Sequence, residues 1–273
     1  MKKIHLILVI LIAVIFNSCE EVVQVDLKTA PPKLVIEASI NWQKGTSGNI
    51  QLIRLSTTFD YFNSAKPIVS GATIYIKDSS NAIYNFVETP NTGEYVCVYF
   101  IPKMNEIYTL TVVNEGQTYT ASESLKSVAP ITKIVQNNLG GFNGNSIEVK
   151  SFYNDPANME NYYLYRYIYS NQVRSNYYAD EDPFFQGNEF FSISQNNDLK
   201  VGDKIEISHF GISKTYFNYM SVLVSIAGNT NGGPFQSPPA TVRGNIINTS
   251  NFDNYALGYF SLSEVDTQSY IVK

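Results

Sequence analysis

Gly71-Ala72-Thr73-Ile74-Tyr75-Ile76-Lys77-Asp78, followed by Ser79-Ser80-Asn81-Ala82 and then Ile83-Tyr84-Asn85-Phe86-Val87, is the stretch whose reading decides the fold. Ile74 and Ile76 recur every second residue, and so do Tyr84 and Phe86. That is the period of a strand with one buried face. The Asp-Ser-Ser-Asn group between the two runs is turn chemistry, because these short side chains bond to their own backbone. The stretch therefore predicts two antiparallel strands joined by a tight connection.

The same pattern continues on both sides. Upstream, Lys33 to Ile40 and Asn49 to Ser56 read as strands separated by a turn that holds Gly45 and Gly48. Downstream, Gly93-Glu94-Tyr95 opens another strand. Tyr108 to Val113 and Tyr119-Thr120-Ala121 follow, divided by Asn114-Glu115-Gly116. Seven or so short strands within about 100 residues predict an immunoglobulin-like or transthyretin-like β-sandwich over residues 33–128.

Ala129-Pro130-Ile131-Thr132 marks a boundary, since a proline holds its predecessor extended. Residues 129–273 are predicted to form a second, antiparallel β-rich domain with one helix. Ile131 to Val135 and Ser146 to Tyr153 are strand-like around a Gly/Asn loop, and Lys200-Val201-Gly202-Asp203 turns into Ile205 to His209. From Ser213 to Ile226 the apolar residues fall at 216, 219, 220, 223 and 226. That is helical spacing, with Ser213 placed to cap the first turn. Ala256 to Ser263 reads as a closing strand.

One strand of this second part stands apart. In Asn161-Tyr162-Tyr163-Leu164-Tyr165-Arg166-Tyr167-Ile168-Tyr169, alternation puts Tyr163, Tyr165, Tyr167 and Tyr169 on one face. Such a face suits a glycan, a peptide or a protein partner, because tyrosine brings large area at low entropic cost. The same pattern also fits a half-buried sheet face whose hydroxyls reach solvent. Phe235, in the Pro/Gly-rich loop beside Pro234, is a further candidate contact.

Composition limits the classes of function. An aromatic content of 14% with 20 Tyr argues for a folded, sheet-rich chain. The formal charge of -5 becomes about -7 once Lys2 and Lys3 leave with a signal. No Lys/Arg cluster is present, so nucleic acid is not an expected partner. Asp180-Glu181-Asp182 is the one dense carboxylate group, but it lacks the spacing of a dedicated calcium loop, and no metal or other cofactor is expected.

The first 32 residues address the chain. Lys2 and Lys3 precede an apolar run from Ile4 to Phe16, which has the length of an export signal and is too short to cross a bilayer. Ser18-Cys19 matches the end of a bacterial lipobox, so residues 1–18 are expected to be cleaved and Cys19 to carry the acyl chains. Residues 19–32 then form a tether, stiffened at its end by Pro31-Pro32. Glu20 and Glu21 resemble a surface-export signal, although they suit a solvated tether equally well. Cys97 would be left as the only thiol, with no disulfide available.

Several features together resemble one family. They are the Cys-Glu start of the mature chain, the Gly71-Ala72-Thr73-Ile74-Tyr75-Ile76 strand, Asn161-Tyr162-Tyr163, Ile212-Ser213 before the helix, Pro238-Pro239 ahead of Arg243-Gly244-Asn245, and Leu257-Gly258-Tyr259-Phe260-Ser261. The set resembles the domain-of-unknown-function family 4249 of Bacteroidota outer-membrane lipoproteins. The resemblance implies a lipid-anchored protein of the outer membrane, acting as an accessory to a TonB-dependent receptor in nutrient capture, and Glu20-Glu21 add the expectation of the cell surface. It supplies no catalytic residues. A structural or adhesive surface module is the alternative. An extracellular hydrolase is not expected, because outside the signal His209 is the single histidine and neither a Gly-x-Ser-x-Gly elbow nor a His-Glu-x-x-His pair occurs.

Overall fold

A computed structural model describes residues 31–59, 66–141, 144–182, 186–194, 196–227 and 242–273. The expected signal, Cys19, most of the tether, and the loop with Phe235 and Pro238-Pro239 lie outside the described residues. Pro32–Lys273 group together as one compact unit.

The first seven strands are β1 (Leu34–Gln43), β2 (Gln51–Thr57), β3 (Thr73–Asp78), β4 (Ile83–Thr89), β5 (Glu94–Cys97), β6 (Ile107–Asn114) and β7 (Gln117–Ser124). Burial follows the period-two pattern: Ile74 and Ile76 of β3, Tyr84 and Phe86 of β4, and Tyr108, Leu110 and Val112 of β6 all point inward. They meet Ile36, Ala38 and Ile40 of β1, Ile53 and Leu55 of β2, and Tyr95 and Cys97 of β5 in a single core. Each fully buried isoleucine contributes about 2 kcal/mol relative to exposure. β4 makes the fold close on itself. Its residues 83–86 pair with β3 and its residues 87–89 pair with β5, so it belongs to both layers.

Asp78 breaks the apolar rule at an inward position of β3. Its Oδ1 accepts bonds from the Ser80 and Ala82 amides and from the Ser80 hydroxyl, which is the turn chemistry read from the sequence. Lys103 Nζ approaches Oδ2 at 3.4 Å. The Ser80 hydroxyl bond leads the influences that hold this carboxyl below the ordinary range, and desolvation opposes them. Cys97 is buried, and burial raises its thiol pKa, which leaves an inert packing residue.

The second half contributes β8 (Ile131–Gly140), β9 (Ser146–Asn154), β10 (Tyr162–Tyr169), β11 (Asn176–Glu181), β12 (Glu189–Ile193), β13 (Lys204–Ile212), α1 (Lys214–Ala227), β14 (Ile247–Asn248) and β15 (Leu257–Ile271). One sheet runs β11-β10-β13-β15-β1-β2-β5-β4-β3-β6-β7-β14, and a second runs β12-β9-β8. The molecule is thus mainly β, built as a sandwich followed by a second β-rich layer with one helix. Most ladders are antiparallel; β1 and β15 pair in parallel.

β15 ties the halves together. Residues 257–265 pair with β1, and residues 265–271 pair with β13. Phe260 and Leu262 complete the first core, and Val272, just past the strand, sits in the second. The chain on either side of the boundary at 129 therefore supplies distinct cores, yet residues 246–262 return to the first of them. Two carboxylates of β15 fasten the crossing segment. Glu264 accepts from Val128 N at 2.9 Å and pairs with Lys44, and Asp266 accepts from Ile131 N at 2.7 Å.

Helix α1 starts as its spacing predicts. Ser213 Oγ accepts a bond from Tyr216 N at 3.2 Å, a side-chain cap for an otherwise orphan amide. The Ser213 hydroxyl in turn donates to Glu123 of β7, and Thr215 and Tyr259 donate to the same carboxylate oxygen. A negative charge beside a helix N-terminus also suits the helix dipole. The apolar stripe of α1 then packs on Leu164, Phe210, Ile212 and Val265 of the long sheet.

Candidate functional site

Tyr163, Tyr165, Tyr167 and Tyr169 do share one face, but that face is closed. Their exposures are 1%, 0%, 0% and 1%. The three-stranded sheet covers them, bringing Val149 and Tyr153 into the same core. Three of the hydroxyls are used internally: Tyr163 donates to Asp155 at 2.6 Å, Tyr167 bonds to Ser151 at 3.1 Å, and Tyr169 bonds to Ser194 at 3.0 Å. The expected binding platform is thus corrected to a polar-edged core. The physical reason is that the tyrosine face of β10 lies under β9, while α1 covers only Tyr162 and Leu164 of the other face, where Arg166 is half-buried and Ile168 exposed.

His209 lies in the same core at 0% exposure. Its ring stacks on Tyr165 at 4.2 Å and 10°, with Tyr153 and Tyr163 at 4.6 and 4.7 Å. Desolvation lowers its pKa to about 3, and the Ala129 backbone opposes this only in part. The imidazole is neutral at physiological pH and unreachable for substrate. Of the carboxylate group, Asp182 accepts from Asn161 N at 2.7 Å, and Asp180 sits opposite Tyr163 in the ladder. Burial raises the pKa of Asp180, as it does that of Asp155. Among the described residues no three His, Cys, Asp or Glu side chains gather as a metal site.

The arrangement that can receive a ligand is on the opposite, outer face of the long sheet. A cleft of about 480 Å³ opens there, within the usual range for small-molecule sites. β1 and β15 supply its floor through Ser39, Asn41 and Ser263, and α1 and β11 supply an aromatic wall through Tyr216 and Tyr177. Phe210 and Leu164 extend that wall, Ile50 and Leu52 face it, and Arg54, Glu37 and Arg166 add charge. These residues converge because odd positions of β1 and even positions of β2, β10 and β13 all point outward.

The charged members of the cleft are locally balanced. Arg54 Nε donates to Glu94 at 2.8 Å, Arg166 Nη2 lies 3.3 Å from Glu206 and 3.2 Å from Ser208 Oγ, and Glu37 pairs with Lys66. The Gln51 side chain is spent on the Asn41 and Gly48 backbone. Tyr216 is deeply set; burial raises its pKa, while the Ser261 and Ser39 hydroxyls bond to it and pull the other way. Arg166 Nε is buried without a hydrogen-bond partner. Sequence reading overlooked this cleft. The available signal was an arginine at an outward position of each of two strands, Arg54 and Arg166.

The family motifs near the C-terminus prove to be mutual packing. Asn245 acts as a short strand in itself: its Nδ2 donates to Phe260 O and its Oδ1 accepts from Phe260 N, both at 2.9 Å. A Cβ on Gly244 would fall 1.7 Å from Gly258 O, so Arg243-Gly244-Asn245 and Leu257-Gly258-Tyr259-Phe260-Ser261 interlock backbone to backbone.

Comparison with solved structures finds distant matches. A two-domain fibronectin type III segment from chicken tenascin is 10% identical and covers 66% of this chain and 90% of its own, with a TM-score of 0.23. A DUF4785 family protein from Legionella pneumophila is also 10% identical, covering 67% and 54%, with a TM-score of 0.27. No curated protein matches. A family model described as Domain of unknown function (DUF4249) matches residues 20–269. Spanning nearly all of the sequence after Cys19, that match places this chain in the DUF4249 family.

Proposed function

We propose that the chain is a lipid-anchored outer-membrane protein that serves a TonB-dependent receptor in nutrient capture and holds ligand in the outer-face cleft. The observation that carries this reading is the cleft itself: it is open and aromatic-walled, and no hydrogen bond within the described residues engages its Asn41 side-chain amide or its Ser263 hydroxyl. It has no histidine or cysteine, and the one histidine of the described residues is sealed in a core. That chemistry suits binding rather than acyl transfer. The Lys2-Lys3 start, the apolar run and Ser18-Cys19 support the anchor. The continuous twelve-stranded sheet favours a second reading, a rigid structural or adhesive module. Copurification decides between them. The acylated protein, solubilised from its source in mild detergent, is expected to bring down an outer-membrane receptor, and recovery of none sinks the accessory role.

A further inference from the structure

We propose that the outer-face cleft takes a neutral oligosaccharide. This rests on reading the cleft as a ligand site and does not depend on the receptor.

A peptide captured in extended form needs unpaired backbone groups, as at a sheet edge. The floor of this cleft is a sheet face: β1 pairs with β15 over residues 35–43 and with β2 over residues 34–37, and beyond that ladder the Asn41 backbone is bonded by the Gln51 side chain. A small anion or cation needs unbalanced charge. Arg54, Arg166 and Glu37 each already face an opposite charge, in Glu94, Glu206 and Lys66, so a charged ligand has to displace an existing partner.

A neutral sugar needs neither. Its hydroxyls require scattered donors and acceptors, and the cleft offers them. Both the Asn41 side-chain amide and the Ser263 hydroxyl line it, and no hydrogen bond within the described residues engages either. Asn41 and Ser263 stand opposite each other in the β1–β15 ladder, about 4.8 Å apart by strand spacing, a separation that fits hydroxyls on one ring. The wall of Tyr177, Phe210 and Tyr216 presents aromatic surface whose negative faces suit the weakly positive C–H groups of a sugar. Leu52, Val96 and Val87 align in register across β2, β5 and β4 beside the cleft, and Val87 is 71% exposed. This row gives a longer chain somewhere to run.

The test is calorimetric titration of the full acylated protein in detergent micelles. The probes are linear neutral hexasaccharides of glucose, xylose and mannose in α and β linkage, oligogalacturonates, and a mixture of hexapeptides. Binding of at least one neutral probe is expected, weakened about tenfold or more by Asn41→Ala and by Tyr177→Ala, with melting temperature nearly unchanged. Neutral binding that survives both substitutions overturns the site, and no neutral binding overturns the ligand class. Peptide or oligogalacturonate binding that the two variants abolish leaves the cleft standing and refutes the sugar. Recovery of a receptor has no bearing on either result.

Discussion

Burial keeps the His209 imidazole neutral, and this has a defined consequence for stability. Its pKa of about 3 in the fold lies below the ordinary 6.5, so the unfolded chain takes up a proton first as pH falls. Stability from this group is therefore complete above pH 6.5 and is lost progressively down to pH 3. Between pH 7 and pH 4.5 the loss is about 2–3 kcal/mol. His209→Phe, which keeps an aromatic ring between Tyr153 and Tyr165, is expected to remove that loss in urea titrations at the two pH values. Asp78 acts lower on the scale: its depressed pKa gives stability above the usual carboxylate range that is lost as pH falls through it. Gly244→Ala tests the interlocked motifs. With Gly258 O 1.7 Å from the new methyl, backbone must move, and a loss of more than about 3 kcal/mol is expected in the same urea titration. At this scale the sequence was legible wherever a residue's role is local. Asp78 and Asn81 announced their turn, with Asn81 at a φ of 67°. His209 and the tyrosines did not announce their burial, because it depends on a separate three-stranded sheet, β12-β9-β8, that packs over their face.

Elements were read more securely than residues. The helix spacing over 213–226 matches α1 closely, because both the cap and the stripe are encoded within 14 residues. Ser213→Ala removes the bond to Tyr216 N and the donor to Glu123. A loss of about 1–2 kcal/mol is expected by thermal or urea unfolding. β10 was equally legible as a strand, and its tyrosine alternation was correct. What alternation alone does not provide is the identity of the covering layer. The polar tip of each tyrosine is compatible with water or with a buried serine. Ser151 and Ser194 were the partners, and neither signals this in its own neighbourhood.

At the scale of the molecule, β15 is the feature no local pattern contains. The closing strand read as Ala256 to Ser263 extends to Ile271 and joins β1 in parallel, more than 200 residues back along the chain. Such pairing has no turn to mark it. Because Phe260 and Leu262 fill the first core while the rest of β15 pairs with β13, the two cores are expected to unfold together. Near-UV and far-UV circular dichroism should give one coincident transition, and a fragment of residues 33–128, lacking β15, should not fold. Two separated transitions would contradict this coupling. The outer-face cleft depends on the same assembly, since β1, β2, β10, β11, β13, β15 and α1 all contribute to its walls or floor. Its residues come from six strands and a helix, which is why no single motif revealed it. Ligand is expected to enter this cleft and not the tyrosine face of β10. One measurement compares them directly: titration of a neutral hexasaccharide into the acylated protein carrying Tyr177→Ala or Tyr167→Phe. The account predicts about tenfold weaker binding in the first and unchanged binding in the second; binding lost only with Tyr167→Phe would contradict it.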